Sequence, residues 1–427
     1  MADFQQRDTI TTLHALFSVV PNEEYLEKLE KKLCRYAKQQ KIGLLLPCHF
    51  NEIANPGALP GIIRDLCKVR YLHRIVVVLG GTDRQEDFVR ARRCFEPLER
   101  DSTEVKVIWV SGPRIRQVLE DLSKMRFPTG IQGKGQSVWA GLGYIFSRRD
   151  TDVVALHDCD IVTYSRLILA RLVEPVANIN SDYEFCKGYY PRISLSEKAM
   201  KGRVTRLFVF PFVDSMARIM REMGRFELER FFQFLQAFRY PLSGEFCFSS
   251  RLARGINIAH DWGLEVCTLS EVYGRIMPRK VVQIDLGINY EHKHQEISPR
   301  DGRRGLHRMV VDISKFFLHY LRSHGLALDD RFVEAACQTY YENALRMIKC
   351  YSDDAAVNGL LFDRHQEELT ARYFRDFLRE SWEEIKGDDA ESVIPSWNRV
   401  LYSAGDIYSR LQEAVELDYR SGGADAG

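Results

Sequence analysis

The chain has 427 residues, more than one hydrophobic core usually serves, and 45% of them are apolar, so more than one packed unit is expected. Its 60 Lys and Arg against 59 Asp and Glu give a net charge of +1, which excludes a general nucleic-acid binder and an acidic interaction tail. No apolar run approaches the roughly 20 residues of a membrane span, and the 10 cysteines, with no Cys-x-x-Cys among them, read as reduced thiols of a cytoplasmic protein.

The N-terminus, MADFQQRDTI, is too polar for a signal peptide. Over residues 22–40, Tyr25, Leu26, Leu29, Leu33 and Tyr36 recur at helical spacing and predict a packing helix. IGLLLPCHFNE, 42–52, predicts a buried strand ending at Pro47, with His49, Asn51 and Glu52 beyond it. Helices are predicted over 58–69, 86–98 and 114–126, and strands over 74–83 and 104–110. Apolar strands alternating with amphipathic helices predict an α/β fold with a largely parallel sheet.

Next, Gly133-Lys134-Gly135 opens a helix whose inner face is Val138, Leu142 and Ile145. A glycine loop with a lysine at a helix N-terminus can hold a phosphate. P-loop spacing is absent, as is Gly-x-Gly-x-x-Gly after the first strand, and for these three residues alone an exposed loop is the simpler reading. TDVVALHDCDIV, 151–162, follows: a short apolar run ending in Asp158 and Asp160. Ligands of open α/β sheets bind at the carboxyl ends of strands. Two acids there make a hard oxygen site for Mg²⁺ or Mn²⁺ carrying a diphosphate; two solvated turn acids are the simpler alternative.

A helix is predicted over 165–177 and a strand over 184–192, the latter loaded with Lys187 and Arg192. Lys198, Lys201, Arg203 and Arg206 then precede the apolar run LFVFPFV; they form either a solvated helix face or a grip for an anionic acceptor. A helix over 225–238 carries core aromatics. PLSGEF, 241–246, is a tight turn bearing Glu245, and HDWGLEV, 260–266, bears Asp261 and Glu265. LGINYEHKHQE, 286–296, holds His292 and His294, which on a strand share a face; one imidazole completing the acid pair's metal site is the functional reading. From about residue 309 apolar stripes at helical spacing predict an all-helical extension of about four helices with no chemical motif. It is expected to pack or to oligomerise, and SGGADAG is expected to be a disordered tail.

In this order, LLPCHFNE, GKGQSVWAGL, HDCDI, GRVTRL, PLSGE, DWGLEV and LGINYEHKH resemble the GT-A nucleotide-sugar glycosyltransferases that make glucosyl-3-phosphoglycerate and mannosylglycerate. The resemblance covers roughly residues 42–325. It implies a mixed, mostly parallel sheet flanked by helices. The catalytic domain would span 42–308, with a nucleotide-sugar half to about 162 and an acceptor half from 163. A helical segment, 1–41, would precede it, and the extension, 309–420, and tail, 421–427, would follow. The activity implied is retaining transfer of a hexose, glucose first, from a UDP- or GDP-sugar to 3-phosphoglycerate, with Mg²⁺ or Mn²⁺.

By the same resemblance Asp160, with Asp158 nearby, would hold the metal, and His292 would be the third ligand, with His294 as the alternative. Pro47, Asn51 and Glu52 would line the nucleoside pocket, and Lys134 would reach the nucleotide. Glu265 would bind donor hydroxyls, Arg203 and Thr205 would seat the acceptor, and Gly244 and Glu245 of PLSGE would belong to the substrate site. A homo-oligomer, a dimer, is expected. After the second strand the family usually carries an Asp and a Ser; here the run is Val78-Leu79-Gly80-Gly81-Thr82-Asp83, which leaves the base open. The helical extension is similar to that of the mannosylglycerate synthases, and GRVTRL to the glucosyl-phosphoglycerate side.

In such a transfer a metal neutralises the charge growing on the departing diphosphate. In the retaining family the acceptor enters on the face the nucleotide leaves, and a diphosphate oxygen takes its proton, so no protein base is needed. A covalent route through Glu245 or Glu265 is the lesser alternative. Three other readings stand beside this one: transfer to unphosphorylated glycerate, a catalytically silent nucleotide-sugar-binding scaffold, and nucleotidyl transfer releasing pyrophosphate.

Overall fold

The computed structural model describes residues 6, 9–16, 22–130, 132–287, 305–387 and 393–421. Eight strands build one sheet: β1 (Thr11–Leu13), β2 (Ile42–His49), β3 (Leu72–Gly80), β4 (Glu104–Trp109), β5 (Val153–Leu156), β6 (Phe185–Tyr189), β7 (Phe246–Ser249) and β8 (Val281–Asp285). Their order is β1-β8-β6-β7-β5-β2-β3-β4. Every neighbouring pair is parallel except that β7 runs antiparallel to both β5 and β6. This is the mixed, mostly parallel sheet expected.

Alternation along each strand supplies both faces. Leu44 and Leu46 of β2 join a core covered by the helices Asn22–Tyr36, Leu59–Leu66 and Arg166–Ala177. Leu45 between them faces the opposite core, covered by the helix Lys134–Ser147 and the helices that follow β6. A sheet buried on both faces has near-continuous apolar strands, which is why β2, β3 and β5 are so plain in the sequence. β2 continues past Pro47 to His49, farther than predicted. Its pairing with β5 ends at Leu45↔Leu156, so the N–H that proline lacks is not needed by that neighbour.

Five helices follow residue 304 among the described residues: Gly305–Ser323, Asp330–Val357, Arg364–Ile385, Trp397–Ser403 and Ile407–Ser421. The first two pack on the helices Phe210–Glu222 and Phe226–Gln236, and the third packs on the first two and on residues 204–209; Tyr340 Oη donates to the Leu207 carbonyl at 2.7 Å, and Asn343 Nδ2 to that of Pro211 at 3.0 Å. Trp397 stacks on Trp139 at 4.1 Å between ring centres. It fills the hollow beside Gly143, where any side chain would strike the indole. The last helix crosses the outer strand β4, where Tyr419 Oη accepts from the Val107 N–H at 2.6 Å. Arg114–Asp418 and Lys106–Glu416 pairs, at 2.6 and 3.0 Å, fasten it. No helix among the described residues is long and apolar enough to cross a membrane. Every cysteine is a free thiol.

Candidate active site

The site gathers where β5 ends. His157 is fully buried beneath the acid pair. Its Nδ1 lies 3.0 Å from the Asp158 carbonyl and its Nε2 3.2 Å from Tyr164 Oη. A carbonyl only accepts, so Nδ1 carries the proton and the tyrosine donates to Nε2. Burial pushes the imidazole pKa down to about 4, so a neutral ring props the backbone that carries Asp158 and Asp160. Both acids are half-buried.

Lys134 is the first residue of its helix. Its ammonium lies 2.8 Å from Asp158 Oδ1 and 3.1 Å from Glu265 Oε1. Glu265 sits, buried, in the first turn of the helix Leu264–Arg275. Burial opposes the lysine's charge, yet Asp158, Glu265 and Glu245 outweigh it and hold the pKa above the ordinary ammonium value. Three predicted residues from three elements are thus one cluster.

Gly244 closes the cluster from the other side. A Cβ there would lie 2.5 Å from Asp158 Oδ2 and 2.9 Å from Lys134 Nζ, so only glycine lets the turn approach the acid this closely. Glu245 is fully buried and accepts from Tyr190 Oη at 2.7 Å. Lys187 of β6, 1% exposed, donates to the Ser243 carbonyl at 2.6 Å. The sequence reading placed Lys187 only in a cationic strand and did not single out Tyr190, His157 or Tyr164. The available signal was a lysine at the carboxyl end of an apolar strand, where ligands of α/β sheets collect.

Pro47, Asn51 and Glu52, expected to line the nucleoside pocket, stand on the end of β2 and the short helix Phe50–Ala54. His49 Nδ1 accepts the Asn51 N–H at 3.2 Å. Across from them Gly81 turns the chain at φ +78°, and the Thr82 carbonyl accepts from Trp109 Nε1 at 2.8 Å. This is the stretch that departs from the family pattern. In the segment expected to seat the acceptor, two of the four clustered cations are committed to acids: Lys201 to Glu197 at 2.6 Å and Arg206 to Glu367 at 2.7 Å. Arg203 is exposed, 3.9 Å from Glu367. It precedes a π-helical stretch, Val204–Val209, a form that recurs at functional sites. Thr205 is buried within that stretch.

Among the described residues no three of His, Cys, Asp and Glu gather as a metal cage; His292 and His294 lie outside the described residues. Asp158 and Asp160 nonetheless offer the hard oxygen donors that a Mg²⁺-like ion takes. With Glu245 and Glu265 they bring four formal negative charges against the two positive charges of Lys134 and Lys187, a deficit that one divalent cation would balance. The donor set fits such an ion.

No family model matches the chain. The chain is 39% identical over 419 residues to the glucosyl-3-phosphoglycerate synthase of Persephonella marina, covering 98% of this chain and 99% of that protein. It is 34% identical over 421 residues to that of Methanococcoides burtonii, covering 98% of each. The fold matches the crystal structure of the Mycobacterium tuberculosis glucosyl-3-phosphoglycerate synthase in complex with phosphoglyceric acid, with TM-score 0.51 at 20% identity over 75% of this chain and 90% of that one. The same enzyme in complex with Mg²⁺ and uridine diphosphate matches with TM-score 0.50 at 20% identity over 75% of this chain and 88% of that one. The near-full-length identity settles the family: the chain belongs to the glucosyl-3-phosphoglycerate synthases and is a hexosyltransferase.

Proposed function

We propose that this enzyme moves glucose from UDP-glucose to the 2-hydroxyl of 3-phosphoglycerate with retention at the anomeric carbon, in the presence of Mg²⁺ or Mn²⁺. The observation that carries the reading is the Lys134 bridge. One ammonium joins Asp158, on the expected diphosphate side, to Glu265, on the expected sugar side. UDP, Mg²⁺ and phosphoglyceric acid are bound by the M. tuberculosis enzyme of the same fold, which supports this donor base, ion and acceptor.

Asp160 and Asp158, with His292 or His294, would hold the cation, which when bound neutralises charge on the leaving diphosphate. Lys134 adds a fixed positive charge on the same side and exchanges part of its pairing with Asp158 for the phosphate oxygens. Glu265 orients donor hydroxyls. Arg203 meets the acceptor's phosphate or carboxylate, with Thr205 in the same segment. Pro47, Asn51 and Glu52 border the nucleoside. Gly244 and Glu245 shape the floor where sugar and acceptor meet. No protein group needs to remove the acceptor proton, because the departing diphosphate is an adequate base.

NMR of the product formed from UDP-glucose and 3-phosphoglycerate tests this reading. An α-linked glucosyl group on the 2-oxygen, with the phosphate ester intact, is the expected outcome. A β linkage would overturn retention. Product formed only from free glycerate would move the activity to the mannosylglycerate-like group.

A further inference from the structure

We propose that Lys187 is a positioning residue for the transfer: its ammonium, bonded to the Ser243 carbonyl, holds the Ser243-Gly244-Glu245 turn against Asp158 and Lys134. The proposal rests on the transfer reading above.

β6 and Tyr190, the residue after it, grip this turn at four points. Lys187 Nζ donates to the Ser243 carbonyl at 2.6 Å. Ser243 Oγ donates to the Gly188 carbonyl at 2.6 Å. The Gly188 N–H donates to the Glu245 carbonyl at 2.9 Å. Tyr190 Oη donates to the Glu245 carboxylate at 2.7 Å. The result of this grip is the close approach of Gly244 to Asp158 and Lys134, with no room for a β-carbon between them. A turn displaced outward by a fraction of an ångström would release both side chains from their positions.

Packing alone does not explain a lysine here. The side chain is 1% exposed, and its ammonium stands 5.1 Å over the Phe246 ring. A methionine of similar volume would fill the space without the desolvation cost of a buried charge. Burial pushes the ammonium pKa down to about 8, against the pull of Glu265 and Glu245, with Lys134 adding to the lowering. The charge is therefore retained at a cost, and what it touches is the turn that carries the site.

The test compares wild type with Lys187→Met and Ser243→Ala, using UDP release from UDP-glucose, UDP binding by calorimetry and thermal melting. Lys187→Met should fold and lose about 30-fold or more in kcat, with a smaller loss in UDP binding, because misplacement near the chemistry costs rate more than binding. Ser243→Ala removes a second hold on the same turn and should lose about 3- to 10-fold in kcat on the same argument. A merely structural role would lower the melting temperature and leave kcat of the folded enzyme unchanged. Folded Lys187→Met with kcat within about threefold of wild type overturns the proposal. If that variant does not fold, Ser243→Ala with unchanged kcat overturns it instead. A wild type that transfers nothing overturns the transfer reading, and the proposal with it.

Discussion

At the scale of single residues the site is a balance of opposed charges held at short range. Lys134 is its pivot. Lys134→Met leaves Asp158 and Glu265 facing each other without the intervening cation. It should lower kcat by about 100- to 1,000-fold, the range for a lost preorganised charge, read by steady-state kinetics at saturating donor. Gly244→Ala makes a different prediction. Its new methyl meets the ends of two flexible side chains rather than backbone, so the fold should accommodate it with little change in melting temperature. Those ends are the atoms proposed to meet the donor, so kcat should fall about 100-fold. Loss of stability with unchanged kcat would contradict this. Asp158, Lys134, Gly244, Glu245 and Glu265 were all legible in the sequence, because each lies in a short motif whose order resembles the family. Lys187, Tyr190 and His157 were not. Lys187 and Tyr190 meet the Ser243–Glu245 turn from a distant stretch of chain, His157 meets Asp158 and Tyr164 locally, and in the sequence they are one cation, one aromatic and one histidine among many.

At the scale of elements, the strands buried on both faces were plain, and their predicted bounds lie within about three residues of the observed ones. The three strands of the eight-stranded sheet that were missed are short. β1 has three residues, and β7 is FCFS directly after a turn, too short for period alone to identify. β8, VVQID, carries Gln283 and Asp285 within its short apolar run. The β3–β4 edge carries a buried ion pair that makes a pH prediction. Arg74, 1% exposed, binds Glu104 at 2.6 Å and also binds Asp150. Burial would raise the Asp150 pKa, but hydrogen bonds from Arg74 and His73 outweigh it and hold it well below the usual carboxylate range. A carboxylate depressed in the folded state contributes stability above its unfolded pKa of about 3.9 and loses it as pH falls below that value. The urea midpoint of wild type should therefore drop progressively as pH falls below about 5, with most of the loss below about pH 4, and Asp150→Asn should lower it at pH 6 and flatten part of that drop. Parallel pH curves for the two proteins would contradict the assignment.

At the scale of the molecule, the helices after residue 304 return to the sheet. Trp397 stacks over Trp139 of the helix that begins at Lys134, and the last helix seals the edge of β4. An exposed strand edge invites pairing with another chain, and here Tyr419 occupies one of its donors. Tyr419→Phe should cost about 1–3 kcal/mol, the penalty of a buried N–H left unpaired, measured by urea unfolding. The sequence showed that these helices exist but not where they dock, since apolar stripes carry no address. The central claim joins fold, site and family, and UDP release from UDP-glucose with 3-phosphoglycerate and Mg²⁺, in wild type beside Asp160→Ala, tests it most directly. Release that requires 3-phosphoglycerate and falls at least 100-fold in the variant is the predicted result. Release undiminished in Asp160→Ala, or equal with and without 3-phosphoglycerate, would contradict it.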